Sequence, residues 1–186
     1  EFGKRHRCIA YSARGYTPSD VPADGDAYSY RDVMRDCVAL LDHLKIDKAH
    51  LIGLSMGGYM AFEMMRQAPD RVLKLALLDT AAYNDTPERS QIRREMIMLA
   101  EKGDFETVKR NTFPIFLSPE HLKDPALVAI CNEMCDEVGP DVFIKQMAAI
   151  MNRKDSRDLL REINVPTLVI VGREDQGTPV EAAEEI

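Results

Sequence analysis

At 186 residues, 45% hydrophobic and 30% charged, the chain has the composition of one globular unit able to bury a core without disulfide staples. Its 24 basic against 31 acidic residues leave a formal charge of −7, which argues against nucleic acid or an anionic membrane as a partner. No apolar run approaches the roughly 18 residues of a membrane span. The scattered Cys8, Cys37, Cys131 and Cys135 make no disulfide framework, so a reducing, cytoplasmic setting is expected.

The chain opens Glu1-Phe2-Gly3-Lys4 rather than at a methionine, so a native start upstream is expected. Four short apolar runs then read as strands covered on both faces: Arg7–Ser12, Ala49–Leu54, Leu73–Asp79 and Pro166–Val171. Between the first two, Val33, Cys37, Leu40, Leu41 and Leu44 recur at helical spacing over 30–44. Met56–Gln67 reads as a second helix, closed by Pro69. Strands alternating with helices predict a parallel α/β sheet.

From about Ala81 to Glu162 the alternation stops, and helical pieces are expected between Pro87, Gly103, Pro114, Pro119, Pro125 and Gly139-Pro140. Ser118-Pro119-Glu120 and Asp124-Pro125 each place a proline just after a capping side chain. A helical insertion between two strands of a parallel sheet suggests a lid.

One motif carries chemistry. Gly53-Leu54-Ser55-Met56-Gly57 fits Gly-x-Ser-x-Gly, of which about 0.02 matches are expected by chance at this composition. It follows the run His50-Leu51-Ile52 and opens the Met56–Gln67 helix. A strand-to-helix turn this tight forces its central residue into a strained conformation, and flanking glycines remove side chains that would clash. Ser55 then stands at the carboxyl end of the sheet as a candidate nucleophile, and the Met56 backbone N–H points where an oxyanion would develop.

With these residues the sequence resembles the α/β-hydrolase superfamily, within it the esterases, enol-lactonases and carbon–carbon bond hydrolases. Arg14-Gly15-Tyr16-Thr17-Pro18-Ser19 is similar to that family's Asp-x-Arg-Gly-x-Gly-x-Ser loop, with Ser12 where Asp is usual and Thr17 where the second Gly is usual. Ala68-Pro69-Asp70-Arg71-Val72 fits as well. The resemblance implies that Asp175, after the last apolar run, is the acid of a Ser–acid–His triad, with Asp79 as runner-up. It implies a partial α/β-hydrolase fold in three parts: 1–80 with the nucleophile turn, 81–162 as a helical cap, and 163–186 with the acid-bearing strand.

The base is not among the four histidines. His6, His43 and His50 lie toward the amino ends of strands, and His121 lies in the insertion. The resemblance places the catalytic histidine after one further strand, and a second oxyanion donor before Glu1. It also implies a missing strand between Arg7–Ser12 and Ala49–Leu54, which would leave unpaired backbone and a chain prone to associate. The expected whole is a serine hydrolase of small-molecule esters, lactones or related carbonyl compounds, acting through an acyl-enzyme; this chain alone is expected to be inactive. Carbon–carbon hydrolysis, perhydrolysis and a non-catalytic receptor or scaffold are the alternatives. No metal or organic cofactor is implied; Cys131 and Cys135 share a helix face without a matching ligand pair. Met60, Met64 and Met65 read as core, while Met96, Met98, Met147 and Met151 can serve core or pocket.

Overall fold

Short, nearly continuous apolar runs make strands that pair side by side, and three of the four expected runs do so. In the computed structural model, which describes residues 2–186, β1 is Ala49–Leu54, β2 is Val72–Leu78 and β3 is Thr167–Ile170. The sheet order is β1-β2-β3, all parallel. Leu54 lies beside Leu78, and Leu78 beside Ile170, so the three carboxyl ends finish level.

The helical periodicity of 30–44 becomes α1 (Tyr30–His43), started by the Ser29 hydroxyl accepting from the Asp32 N–H. It buries Val33, Met34, Cys37 and Leu41. The segment after the glycine-rich turn becomes α2 (Met56–Gln67), which buries Ala61, Phe62, Met64 and Met65. These faces meet Leu75 and Leu77 of β2 in one core. Phe62 and Leu77 are fully buried there, and such side chains each contribute about 1.5–3 kcal/mol. Arg71 fastens the far end by donating to the Asp47 and Ile46 carbonyls ahead of β1.

After β2 the chain is helical, as expected. Thr86 caps α3 (Pro87–Glu101), Asp104 caps α4 (Phe105–Phe116), and Asp124 caps α5 (Pro125–Met151), accepting from the N–H groups of Ala126 and Leu127. Gly139, at φ 72°, breaks α5 where Gly-Pro was expected to divide it. Pro114 does not divide the chain; it sits in the last turn of α4, which ends two residues later, where a missing N–H bond costs the helix least. Ser118-Pro119-Glu120 starts no α-helix. Asp124 already caps the next helix, and that spacing admits one 3₁₀ turn, His121–Lys123, instead of a helical nucleus. A short α6 (Val180–Glu185) follows β3.

Two expectations need correction. Residues 7–12 form no strand: among the described residues none pairs with them, and without a ladder partner an apolar run has nothing to hold it as a strand. The sheet is also covered on one face rather than two. Both α1 and α2 pack on the side of Leu75 and Leu77, while Ile52, Leu54, Leu168 and Ile170 on the other side are about half exposed or more.

Candidate active site

β1 passes into α2 through Ser55, whose backbone lies at φ 51°, ψ −113°, a region costly for any residue with a side chain. Three contacts hold it there. The Ser55 N–H donates to the Leu78 carbonyl (2.8 Å), the Gly58 N–H donates to the Ser55 carbonyl (2.8 Å), and the Thr80 hydroxyl donates to that same carbonyl (2.9 Å). The glycines before and after are required by space. A Cβ on Gly53 would stand 2.4 Å from the Gly57 carbonyl oxygen, and one on Gly58 would stand 2.3 Å from Thr80 Oγ1. Gly57, by contrast, has nothing within 4 Å of its Cβ position. Met56 is the first residue of α2, so its N–H has no acceptor within the helix, and it carries the positive end of the helix dipole.

Two strands across from β1, in the loop that follows β3, lies Asp175. One carboxylate oxygen accepts from the Gly177 N–H (2.7 Å) and the Thr178 N–H (2.9 Å); the other accepts from the Thr178 hydroxyl (2.9 Å). The loop thus fixes the carboxylate by three bonds. Asp79 ends β2 between them at φ 43°, its N–H bonded to the Ile170 carbonyl and its carboxylate accepting from the Gly172 N–H (2.7 Å). Asp79 and Asp175 both approach within 4 Å of the place a Gly172 Cβ would occupy. The structure therefore brings Ser55, Asp79 and Asp175 to one edge of the sheet, while Glu174 is exposed.

The histidines lie elsewhere. His50 enters the amino end of β1, with its ring 6.3 Å from that of His6. His43 is exposed in the last turn of α1, and His121 bonds Ser118 beside the 3₁₀ turn. The post-β2 helices reach the acid-bearing loop: Ile115 Cγ2 and Phe116 Cε1 of α4 lie within 4 Å of the Gly177 Cβ position. The Arg14–Ser19 loop is anchored by a two-pronged Arg14–Asp36 pair, both bonds 2.6 Å, and by Ser19 donating to the Ser12 carbonyl. Ser12 donates to the Thr17 carbonyl, so the two residues that depart from the family's loop pattern bond to each other. Lys145 of α5 donates to Pro22 in the segment that follows. Met64 and Met65 are core, whereas Met147 packs with Met56 on the Tyr30–Tyr59 pair. Cys131 and Cys135 are half-buried free thiols.

Sequence reasoning missed Thr80. Nothing marks it locally, although the second glycine of Gly57-Gly58 signals a close neighbour.

The model of the alpha/beta hydrolase fold matches residues 2–186. The chain belongs to the alpha/beta hydrolase fold family. It is 27% identical to 3-oxoadipate enol-lactonase 2 of Acinetobacter baylyi over 96% of its own length and 65% of that relative's. It is 30% identical to a 2-hydroxy-6-oxononadienedioate/2-hydroxy-6-oxononatrienedioate hydrolase of Paraburkholderia xenovorans, over 95% of its own length and 62% of the relative's. Among solved structures, a thermophilic esterase of Thermogutta terrifontis superposes with a TM-score of 0.83 at 30% identity, covering 93% of this chain and 64% of that one. The chain thus spans about two thirds of the length of these hydrolase relatives. Among the described residues, no helix is long and apolar enough to cross a membrane.

Proposed function

We propose that the protein is a serine hydrolase of small-molecule esters, lactones or related carbonyl compounds, with Ser55 as nucleophile. The observation that carries this reading is the strained Ser55 backbone between β1 and α2, held by hydrogen bonds to its N–H and carbonyl and flanked by Gly53 and Gly58, where a side chain has no room. A strained backbone held this firmly at a half-buried turn points to function rather than to folding. The enol-lactonase and esterase relatives support the reaction class.

In this reading Ser55 Oγ attacks the substrate carbonyl carbon while its proton passes to a histidine base. The oxyanion accepts from the Met56 N–H, and collapse of the tetrahedral intermediate expels the alcohol or enol, which takes the proton back. Water then repeats the sequence on the acyl-enzyme and frees the acid and Ser55. Asp175 orients the histidine and stabilises its charged form. Two strand spacings, about 10 Å, separate the β1 and β3 ends, a gap that an imidazole between serine and carboxylate fills. None of the four histidines here stands at that edge, and the reading requires a base there. The helices between β2 and β3, residues 81–162, form a cap that sets substrate preference.

Carbon–carbon bond cleavage is the second reading, favoured by the oxononadienedioate hydrolase relative. A fluorophosphonate, which phosphonylates activated serines, tests the nucleophile: it should label the full-length protein at Ser55 and spare Ser55→Ala. Equal labelling of both overturns the assignment. Hydrolysis of p-nitrophenyl esters set against a vinylogous 1,5-diketone then separates ester from carbon–carbon cleavage. A full-length protein that has no histidine at the Ser55–Asp175 edge and resists the probe would be a scaffold.

A further inference from the structure

One run of hydrogen bonds crosses the sheet from the Ser55 turn to Asp175. The Ser55 N–H donates to the Leu78 carbonyl (2.8 Å), and the N–H of that same peptide group, on Asp79, donates to the Ile170 carbonyl (2.9 Å). The Gly172 N–H then donates to Asp79 Oδ1 (2.7 Å), and the Asp175 N–H donates to the Gly172 carbonyl (3.1 Å). Three of these four links join main chain to main chain. The fourth is the Asp79 side chain.

That side chain stands where the ladder would otherwise continue. Leu75, Ala76, Leu77 and Leu78 pair with Thr167, Leu168, Val169 and Ile170, a register that would next offer the Asp79 carbonyl to the Gly172 N–H. Asp79 instead leaves the strand at φ 43° and accepts that N–H on its carboxylate. Aspartate and asparagine tolerate such a conformation better than other residues with side chains, and either presents an oxygen to an N–H. Gly172 lies between the two acids: its Cβ position would stand 3.7 Å from Asp79 Oδ1 and 3.9 Å from Asp175 Cβ. The bonds beyond it join Asp175 to Gly177 and Thr178, so they set the form of the loop but not its place on the sheet.

We propose that Asp79 is a positioning residue of the Ser55–Asp175 site, which rests on the reading of those two residues given above. Its carboxylate tethers the acid-bearing loop to the strand that also holds the Ser55 turn, and so fixes the spacing of nucleophile and acid. The tether needs one accepting oxygen from Asp79, not a charge. A triad acid needs the charge, because it stabilises a protonated imidazole. The two roles therefore respond oppositely to asparagine. Misplacing a catalytic group by about 1 Å costs up to about a hundredfold in rate, and a loss confined to the reacting groups falls on kcat rather than KM.

The test uses the full-length protein, with hydrolysis of p-nitrophenyl butyrate and with hydrogen exchange read by mass spectrometry on the peptide spanning 171–178. Asp79→Asn, the conservative variant, keeps the acceptor and should retain about a third of kcat or more, with exchange as in wild type. Asp79→Gly adopts the positive φ without strain but has no acceptor. Its kcat should fall roughly tenfold or more with KM within about twofold, and the peptide should exchange faster. Asp175→Asn, the reference for loss of the acid itself, should lose roughly a hundredfold or more. An Asp79→Asn as inactive as Asp175→Asn makes Asp79 the acid and overturns the proposal, as does an Asp79→Gly with wild-type kcat or wild-type exchange. Ser55→Ala, assayed beside them, separates the two readings: if it stays active the nucleophile assignment falls, and exchange alone decides the tether.

Discussion

Gly53→Ala tests the geometry of the serine turn. The added methyl would lie 2.4 Å from the Gly57 carbonyl oxygen, 2.6 Å from its carbon and 2.8 Å from the Gly58 nitrogen. Ordinary contact begins near 3.4 Å, so the methyl is about an ångström too close, and every obstacle is backbone rather than a side chain that can swing aside. Overpacking commonly costs about 1–3 kcal/mol, and a rigid obstacle places this substitution at or above the upper end. Gly57→Ala is the matched control. It has open space and a helical position, where alanine gains about 0.5–1 kcal/mol over glycine. Equilibrium urea unfolding followed by circular dichroism separates the two. With a slope of about 2 kcal/mol per molar, Gly53→Ala should lower the midpoint by about 1.5 M, whereas Gly57→Ala should hold or raise it. Equal midpoints for the two variants would refute the tight-turn account.

Three further outcomes follow from the same structure. Asp85 is held below the ordinary carboxylate value; burial alone would raise it, but Arg93 and Arg153 outweigh burial. Its stabilisation is therefore present above about pH 4 and lost as the pH falls further, so Asp85→Asn should cost about 3 kcal/mol at pH 7 and flatten the acid limb of the melting temperature against pH. An acid limb as steep as wild type in Asp85→Asn would contradict this. Ile52→Lys with Leu168→Lys should reduce binding of a hydrophobic dye and self-association by light scattering while moving stability by no more than about 0.5 kcal/mol, because both side chains are exposed. Thr80→Val, which removes the donor to the Ser55 carbonyl, should cost about 1 kcal/mol in urea unfolding.

What the sequence made legible was local. The helix over 30–43 is written in its own spacing, and the serine turn in glycines whose need is set by atoms a few residues away. Asp175 was marked only by the family resemblance, as a position after an apolar run, while the three bonds that hold its carboxylate became visible only once the loop had folded. Reading failed where pairing or distance decides. Residues 7–12 have a strand's composition, but a strand also needs a neighbour, and composition does not supply one. The outer face of the sheet has the same apolar character as the inner, so which one a helix covers is not encoded in either. Asp85 and Arg153 are 68 residues apart, and no local pattern foretells that they meet in the interior.

The central claim is that Ser55 is the reactive nucleophile, and its most direct test is mass mapping of the full-length protein after treatment with a fluorophosphonate. One adduct is expected, on the peptide carrying Ser55, with its loss in Ser55→Ala. An adduct on another residue, or unchanged labelling of Ser55→Ala, would contradict it.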